Sequence, residues 1–413
     1  MIIKARYVVP VDRPAIENGA VVIERGRIAA VGSAKEFPGQ PATDYGDAVI
    51  CPGFVNAHTH LDLSMLVGRI APGPDFIAWL RHLMAIITAE PATRQRVHQA
   101  VRAGVAQSLE SGVTMIGDIA RTPQWTREVL SASPLRGVSF GEVTAIGTRR
   151  QLLSERLDAA LVEDWRSEQM KIGISPHASY SVEPAGMRAC AEQARKRNAP
   201  LCIHLAETAD EERFTCTCEG PFADYLRGLG VWDELIPTSG CGPVELAERT
   251  GLLGKRTVIA HANYVTDADI KRIAASGASV AYCPRIHRAF EHTSHRFRDM
   301  LAAGINVCVG TDSLASNPSL SILDELRFLR RQHADLTADR IIAMGTLHGA
   351  RALGFANVAG SLTAGKMADL AVIPLDTPNA AAGWDSMFES IQPPIAVYVS
   401  GELHRKTSEE PVG

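Results

Sequence analysis

The sequence predicts an α/β protein, a (β/α)8 TIM-type barrel with a small β-sandwich domain formed by both chain ends. Three observations predict it. Apolar, β-rich runs alternate with helical patterns through the middle of the chain, both ends are β-rich, and metal-binding residue types follow several of the middle runs. We therefore expect a composite β-sandwich domain at 1–52 and 361–413, and a barrel at 53–360.

Short β-rich runs occupy both ends of the chain. They are Ile2–Val9, Ala20–Glu24 and Arg27–Val31 at one end, and Leu370–Pro374 and Ile395–Val399 at the other. A turn at 24–26 separates two of the first three, and Ser400-Gly401 predicts a turn after the last. Because chain termini often lie close together, we expect these runs to pair into one domain.

Eight apolar runs in the middle of the chain predict the barrel strands. They are Gly53–His58, Thr114–Gly117, Gly137–Glu142, Lys171–Ser175, Leu201–His204, Thr257–His261, Ser279–Tyr282 and Asn306–Gly310. Helical patterns lie between or after them, for example at Arg94–Ser111, Pro184–Arg197, Asp267–Ala275 and Ser321–Arg331. Strands that alternate with helices predict a parallel sheet, and eight such units favour a closed barrel.

Composition narrows the class of protein. The 413 residues carry a formal net charge of −4, with 46% hydrophobic and 21% charged residues, which is typical of a soluble globular protein. The sequence contains no block of basic residues, so we do not expect a nucleic-acid partner. No apolar run is long enough to span a membrane, and the N-terminus lacks a signal-peptide pattern, so we expect a cytoplasmic location.

The eight cysteines lie mostly in apolar runs. This distribution predicts small buried side chains in a reducing compartment. Cys216 and Cys218 form a CxC motif, but no second pair of cysteines lies nearby to complete a metal site.

The motif PGFVNAHTH ends the first predicted barrel strand. His58 and His60 are two residues apart, so on a strand their side chains point to the same side. Both imidazoles can then reach one ion at the carboxyl end of the strand. By itself the motif also fits two unrelated polar residues in a loop.

Three further strands end in chemically similar residues. His204 closes the fifth strand in the motif HLAE, His261 closes the sixth, and Asp312 follows the eighth in GTDS. Glu207 lies three residues beyond His204, where a carboxylate can move protons for an attacking water. Taken singly, Glu207 also fits the start of a helix, Asp312 a helix cap and His261 a structural role.

Position strengthens these separate signals. The carboxyl ends of barrel strands converge on one face, where the active sites of such barrels lie. His58, His60, His204, His261 and Asp312 all fall at such ends. This coincidence predicts a metal-dependent active site.

With these motifs the chain resembles the amidohydrolase superfamily over essentially its whole length. The resemblance implies that His58, His60, His204 and Asp312 bind the metal. It also implies that Glu207 shuttles protons, that His261 orients the attacking water or the leaving group, and that Asp312 helps accept the water's proton. All three are therefore candidate catalytic residues.

The fourth strand bears on the number of metal ions. Relatives with two metal ions usually carry a carboxylated lysine at the end of this strand, where it bridges the ions. This chain has Ser175-Pro176-His177 there, and Lys171 lies at the start of the strand, towards the wrong face. We therefore expect one divalent ion. Zn²⁺ is the first expectation, and three histidines with one aspartate also suit Fe²⁺, Mn²⁺ or Ni²⁺.

Within that superfamily the chain resembles the methylthioadenosine/S-adenosylhomocysteine deaminases. His177 in SPHASY matches their substrate-contacting histidine, and Trp79 belongs to a similar WL pair, so we expect both residues to bind substrate. The segment HTHLDLS, which contains Asp62, looks more like the corresponding motif of the aminodeoxyfutalosine deaminases, and we expect Asp62 to bind substrate as well. Thr88 stands where a ribose-binding glutamate is expected, with Glu90 two residues on.

The resemblance implies a small-molecule substrate, hydrolytically deaminated to an inosine-type product and ammonia. The candidates are aminodeoxyfutalosine, which we favour, methylthioadenosine, S-adenosylhomocysteine and adenosine. A basic segment from Arg285 to His295 follows the seventh strand, and we expect Arg285 to bind a substrate carboxylate, although a solvated loop explains it equally well.

Two other readings stay open. A chlorohydrolase or another ring amidohydrolase uses the same metal chemistry. A non-catalytic scaffold is disfavoured, because every ligand-type residue is present. By analogy with similar proteins, a homodimer is also open.

Overall fold

The computed structural model describes residues 1–376 and 383–406, which form two eight-stranded sheets. The first sheet begins with β1 (Ile2–Val8), β2 (Ile16–Glu24), β3 (Arg27–Ser33), β4 (Ala42–Asp44) and β5 (Ala48–Pro52). β1 pairs antiparallel with β2, and β4 and β5 both run parallel to β1. Sequence reasoning missed β4 and β5.

The second sheet is parallel and forms the predicted barrel. Its strands are β6 (Phe54–Thr59), β7 (Val113–Ala120), β8 (Arg136–Val143), β9 (Met170–Pro176), β10 (Leu201–Leu205), β11 (Thr257–His261), β12 (Ser279–Tyr282) and β13 (Asn306–Val309). They lie in chain order around the sheet. Beyond β13, the backbone N–H groups of Thr311 and Asp312 donate to the carbonyl of His58, which ties the last strand to the first.

Fourteen α-helices cover and extend the barrel within the described ranges. They are α1 (Phe76–Ala89), α2 (Arg94–Glu110), α3 (Pro123–Ser131), α4 (Leu153–Ala160), α5 (Pro184–Arg197), α6 (Ala209–Thr217), α7 (Pro221–Gly228), α8 (Pro243–Arg249), α9 (Asp267–Ser276), α10 (Pro284–Ala289), α11 (Phe297–Ala302), α12 (Ile322–Gln332), α13 (Ala338–Met344) and α14 (Leu347–Ala352). Local chemistry sets several boundaries. α5 starts on a proline and stops at Asn198, which adopts the left-handed conformation that commonly ends helices.

The chain returns to the first sheet through β14 (Leu370–Pro374), β15 (Ala396–Val399) and β16 (Glu402–Lys406). β14 pairs antiparallel with β5, so both chain ends join one mixed sheet. The predicted fold class, a barrel with a separate β unit, is confirmed. The sandwich arrangement and the boundaries 1–52, 53–360 and 361–413 stay a prediction, and 377–382 and 407–413 lie outside the described residues.

A continuous hydrophobic core lies between the barrel and its helices, and the amino ends of the barrel strands face the mixed sheet. Arg136, at the start of β8, forms a buried ion pair with Asp369, just before β14, with 3.3 Å between Nε and Oδ2. The opposite, carboxyl ends of the strands are therefore left for the functional site. Within the described ranges, no helix is long and apolar enough to cross a membrane.

Candidate metal centre and substrate cavity

Four side chains predicted as ligands meet at the carboxyl ends of β6, β10 and β13. One ligand atom from each of His58, His60, His204 and Asp312 lies within 4.8 Å of every other, and all four residues are buried. Nε2 of His60 is 3.2 Å from Nε2 of His204 and 3.4 Å from Oδ1 of Asp312. Nε2 of His58 is 3.7 Å from the same oxygen.

This donor set fits a divalent cation. Burial lowers the pKa of both His60 and His204 well below the ordinary range, which keeps their imidazoles neutral. His204 donates through Nδ1 to the carbonyl of His177, so its Nε2 carries a lone pair towards the cluster. Across the described chain Nε2 of His58 has no hydrogen-bond partner. Ligand nitrogens about 2.1 Å from a tetrahedral ion would be roughly 3.4 Å apart, close to the spacing seen.

The backbone is unusual where these strands end. Ala206, His261, Ala262 and Asp312 have positive φ angles of 52°, 72°, 52° and 59°, a region that non-glycine residues rarely occupy. Such conformations cost about 1–3 kcal/mol each and cluster at functional sites. Here they turn each chain sharply at the strand end, and the Asp312 carboxylate is further held by a hydrogen bond from Ser316 Oγ at 2.9 Å.

Glu207 and His261 lie together beside the four-residue cluster, with 3.4 Å between Oε1 and Nε2. Burial, followed by the charges of Asp312 and Glu211, raises the pKa of Glu207 well above its ordinary value. Burial lowers the pKa of His261 to about 3, so its imidazole is neutral. Asp312 differs: burial alone would raise its pKa, but the surrounding His58, His60 and His261 outweigh burial and lower it.

Glu211 supports Glu207 and was missed by sequence reasoning. Its carboxylate accepts a hydrogen bond from the backbone N–H of Glu207 at 2.8 Å and one from Ser179 Oγ at 2.6 Å. These bonds fix the loop that carries Glu207. An acidic residue in the first turn of a helix is common, so nothing in the sequence distinguished Glu211 from a surface residue.

A cavity of about 370 Å³ opens onto this cluster. Two of the predicted substrate contacts line it: Trp79 in an apolar wall with Phe76 and Leu80, and His177, whose ring centroid is 4.8 Å from that of His204. The structure therefore brings Trp79 and His177 to the same space as the metal cluster.

Arg285 and Asp62 lie elsewhere, and the expectation that they bind substrate stays a prediction. Neither lines this cavity. The Arg285 side chain points towards α12, where it donates to Ser319 Oγ at 2.9 Å and lies 3.9 Å from Asp324. Asp62 lines a smaller neighbouring pocket, and its Oδ2 accepts from the backbone N–H of Arg121 at 3.3 Å.

The histidines of the segment 285–295 pack inwards and are not solvated cations. Burial lowers the pKa of His287 and His292 to about 4 and that of His295 to about 3. His295 stacks on Tyr282 and donates through Nε2 to the carbonyl of His261 at 2.8 Å. This segment therefore braces the strained end of β11.

Four charged residues that the sequence analysis did not identify also line the cavity: Arg121, Glu142, Arg149 and Arg156. They follow β7 or lie at and beyond the end of β8, in segments without a recognisable motif. Thr88 and Glu90 are absent from the wall, and Glu90 pairs with Arg69 on the neighbouring pocket.

Comparison with known proteins agrees with this geometry. A model of the amidohydrolase family matches residues 49–403. A protein of Nitratidesulfovibrio vulgaris named 5-methylthioadenosine/S-adenosylhomocysteine deaminase is 30% identical, covering 92% of this chain and 84% of that protein. An adenosine deaminase of Xanthomonas campestris with bound zinc aligns with a TM-score of 0.82 at 25% identity, covering 98% of this chain and 92% of that one.

A third protein, the aminofutalosine deaminase of Helicobacter pylori in complex with methylthio-coformycin, aligns with a TM-score of 0.85. It is 24% identical, and the alignment covers 97% of this chain and 99% of that one. This likeness supports the same overall fold.

Proposed function

The chain belongs to the amidohydrolase family, and we propose that it hydrolytically deaminates an adenine-bearing nucleoside to the inosine-type product and ammonia. The observation that carries the proposal is the placement of His58, His60, His204 and Asp312, with Glu207 and His261, at one end of a nucleoside-sized cavity. The relative named as a methylthioadenosine/S-adenosylhomocysteine deaminase supports the substrate class. A dead scaffold would not be expected to retain this set.

We propose that His58, His60, His204 and Asp312 hold one divalent ion, with zinc as the first choice. The zinc in the similar Xanthomonas campestris structure supports that choice, and Fe²⁺, Mn²⁺ and Ni²⁺ suit the same donors. When bound, such an ion supplies Lewis acidity that activates a water for attack at neutral pH.

Asp312 and Glu207 would divide the proton transfers. Asp312 stays ionised because its pKa is lowered, so it accepts a proton as water adds to C6 of the purine. Glu207, whose pKa is raised, holds a proton that it delivers to ring nitrogen N1. The C6–O bond forms, the C6–N bond then breaks, and protons relayed through these carboxyl groups leave with the amine as ammonia.

His261 would hold the reacting centre in place. Its imidazole is neutral, and Nε2 lies 3.4 Å from Oε1 of Glu207. A neutral imidazole that carries its proton on Nε2 can donate to the oxygen that develops on C6. We propose that His177 contacts the purine and that Trp79 covers its apolar face, since both line the cavity.

The charges on the cavity wall favour two of the four candidate substrates. Arg121, Arg149 and Arg156 all line it, which suits an anionic group at the far end of a nucleoside. Aminodeoxyfutalosine and S-adenosylhomocysteine carry a carboxylate, whereas adenosine and methylthioadenosine do not. We therefore propose the carboxylate-bearing nucleosides as the preferred substrates.

Ammonia release across a panel tests the function. Protein of measured metal content would be assayed with adenosine, methylthioadenosine, S-adenosylhomocysteine, aminodeoxyfutalosine and a chlorinated triazine, before and after chelation. We expect ammonia from the nucleosides, loss on chelation and recovery with Zn²⁺. Chloride release without ammonia would identify a chlorohydrolase. A metal-loaded protein that is inactive on the whole panel would identify a scaffold.

We also propose a cytoplasmic location and a homodimeric assembly. The location is supported by the eight free cysteines, six of them buried, which suit a reducing compartment. Cell fractionation tests the location. Sedimentation equilibrium tests the assembly, with a monomer mass as the contradicting result.

A further inference from the structure

Glu325 is a buried carboxyl group that belongs neither to the metal cluster nor to the cavity wall. It lies in the first turn of α12, and its side chain is fully buried. Its Oε2 accepts a hydrogen bond from the backbone N–H of Arg285 at 2.9 Å, and its Oε1 accepts one from the side-chain amide of Asn317 at 2.8 Å. Because a buried carboxylate without donors is strongly unfavourable, Glu325 and these two donors hold one another in place.

Asn317 links Glu325 to the strand end that carries Asp312. Its Nδ2 donates to Oε1 of Glu325 and also to the backbone carbonyl of Thr311, both at 2.8 Å. An amide nitrogen carries two hydrogens, so it can make both bonds at once, whereas the amide oxygen could make neither. Two acceptors on the same side therefore determine which way the buried Asn317 amide points. Removing the Glu325 carboxylate would leave only one of them.

The peptide group between Thr311 and Asp312 is held from both sides. The Thr311 carbonyl accepts from Asn317, and the Asp312 N–H donates to the carbonyl of His58 at 3.1 Å. The two groups belong to one planar unit, so these bonds fix its orientation. The orientation matters because Asp312 has a φ of 59°, which a non-glycine residue rarely adopts. A shift of this peptide would therefore move the Asp312 carboxylate relative to the three histidines of the cluster.

We propose that Glu325 is a positioning residue for the metal centre: through Asn317 it orients the Thr311–Asp312 peptide group, and thereby sets the affinity of the site for a divalent ion. Within the described residues, no hydrogen bond or ion pair joins Glu325 to the four ligands, so its influence passes through Asn317. Groups that orient a metal ligand change metal affinity by about 10–100-fold when they are replaced. The inference rests on the proposed metal site and is independent of which nucleoside is deaminated.

Metal affinity in Glu325→Gln tests this link. Burial raises the pKa of Glu325 to about 7, although Arg285 and Asn317 counteract burial, so the measurement is made at pH 8, where the carboxylate predominates. An amide at this position turns a donor towards one of the two donors around it. We therefore expect Zn²⁺ affinity to fall about 10–100-fold, measured by competition with a chelating dye. The visible absorption of the Co²⁺-loaded protein, which depends on ligand geometry, should change as well.

Two further variants distinguish a positioning role from a general disturbance of α12. Asp324→Asn is the matched control, because the adjacent Asp324 carboxylate accepts from Ser319 Oγ at 3.2 Å and lies 3.9 Å from Nη1 of Arg285. This variant should bind Zn²⁺ as tightly as the wild type. Asn317→Ala should weaken Zn²⁺ binding at least as much as Glu325→Gln, and it also tests the link if Glu325→Gln does not fold. The combined variant should bind Zn²⁺ no more weakly than Asn317→Ala alone, because Glu325 acts through Asn317.

The possible failures are distinguishable. A wild type that binds no divalent ion would refute the proposed metal site itself. Unchanged Zn²⁺ affinity and an unchanged Co²⁺ spectrum in Glu325→Gln would overturn the positioning role and leave the metal site standing. An equal loss of affinity in Asp324→Asn would also overturn it, because the effect would then belong to α12 as a whole. If the losses of Glu325→Gln and Asn317→Ala were additive in free energy, the link through Asn317 would be wrong.

Discussion

At the scale of single residues, Glu207 and Asp312 are pushed towards opposite protonation states although both are buried. Three imidazoles surround Asp312 and lower its pKa, whereas Glu207 faces the charges of Asp312 and Glu211, which raise its pKa further than burial alone. We propose that two carboxyl groups whose pKa values are separated in this way act as a base and an acid in one site.

Replacing Glu207 tests this division. We expect Glu207→Gln to lower kcat by about 10²–10⁴-fold, since an amide cannot deliver the proton. Metal content by elemental analysis should stay at the wild-type level, because Glu207 is outside the four-residue cluster. Glu212→Gln, an exposed neighbour on α6, is the control and should retain full activity. Retained activity in Glu207→Gln would exclude Glu207 as the proton donor.

The cavity arginines provide a second test at this scale. Arg149→Ala should raise KM for S-adenosylhomocysteine by about tenfold and alter KM for adenosine far less, because only the first carries a carboxylate. Arg285→Ala should change neither, because its guanidinium binds Ser319 and faces α12. Steady-state kinetics on both substrates measure these effects. If Arg285 bound the carboxylate instead, Arg285→Ala would raise KM for S-adenosylhomocysteine and Arg149→Ala would not.

At the scale of elements, the metal cluster depends on how β13 returns to β6. Asn56 donates through its side-chain amide to Thr311 Oγ1 at 2.7 Å and accepts from the Thr311 N–H at 3.1 Å. Gly310 lies directly against His58, where a Cβ at position 310 would come within 2.9 Å of the His58 carbonyl oxygen. The closure of the barrel therefore holds His58 and Asp312 in register.

Gly310→Ala should disturb that closure. The neighbouring atoms include the backbone of His58, which cannot move without displacing its imidazole, so we expect metal affinity to fall at least about tenfold and stability by about 1–3 kcal/mol. Competition with a chelating dye and thermal unfolding measure the two effects. Gly254→Ala is the control, since no atom lies within 4 Å of a Cβ added there. Unchanged metal affinity would show that His58 tolerates the shift.

At the scale of the whole molecule, one buried ion pair joins the mixed sheet to the barrel. Arg136 and Asp369 are 2% and 3% exposed, and Asp369 also accepts from the Ser400 N–H at 2.8 Å. The backbone carbonyl of Asp369 accepts from Gly53, just before β6. Both chain ends are thereby attached to the barrel face opposite the metal cluster.

Removing Arg136 tests this attachment. Arg136→Met leaves Asp369 buried without its partner, so we expect a loss of about 3–5 kcal/mol in the free energy of unfolding, measured with urea. Adding Asp369→Asn to Arg136→Met should recover part of the lost free energy of unfolding. Glu248→Gln breaks a surface pair with Arg272 and should cost less than about 1 kcal/mol. If Arg136→Met and Glu248→Gln lost equal free energy of unfolding, the buried pair would have no special role.

Much of the barrel was predictable, because strand and helix patterns are local. All eight predicted strands are present, and the predicted bounds of α5 agree with the structure. β4 and β5 were missed because neither of these short runs shows a clear alternation of polar and apolar residues. β5 is buried along its whole length, since it lies between β1 and β14.

The sequence by itself determined that His58, His60, His204 and Asp312 would meet. Each of them ends or follows a strand, and a parallel barrel brings all carboxyl ends of its strands to one face. Only the tertiary structure decided the cavity wall, because contacts distant in sequence set the direction of each loop side chain. Ser319 and Asp324 of the region around α12 draw Arg285 away from the cavity, whereas Glu142 at the end of β8 lines it.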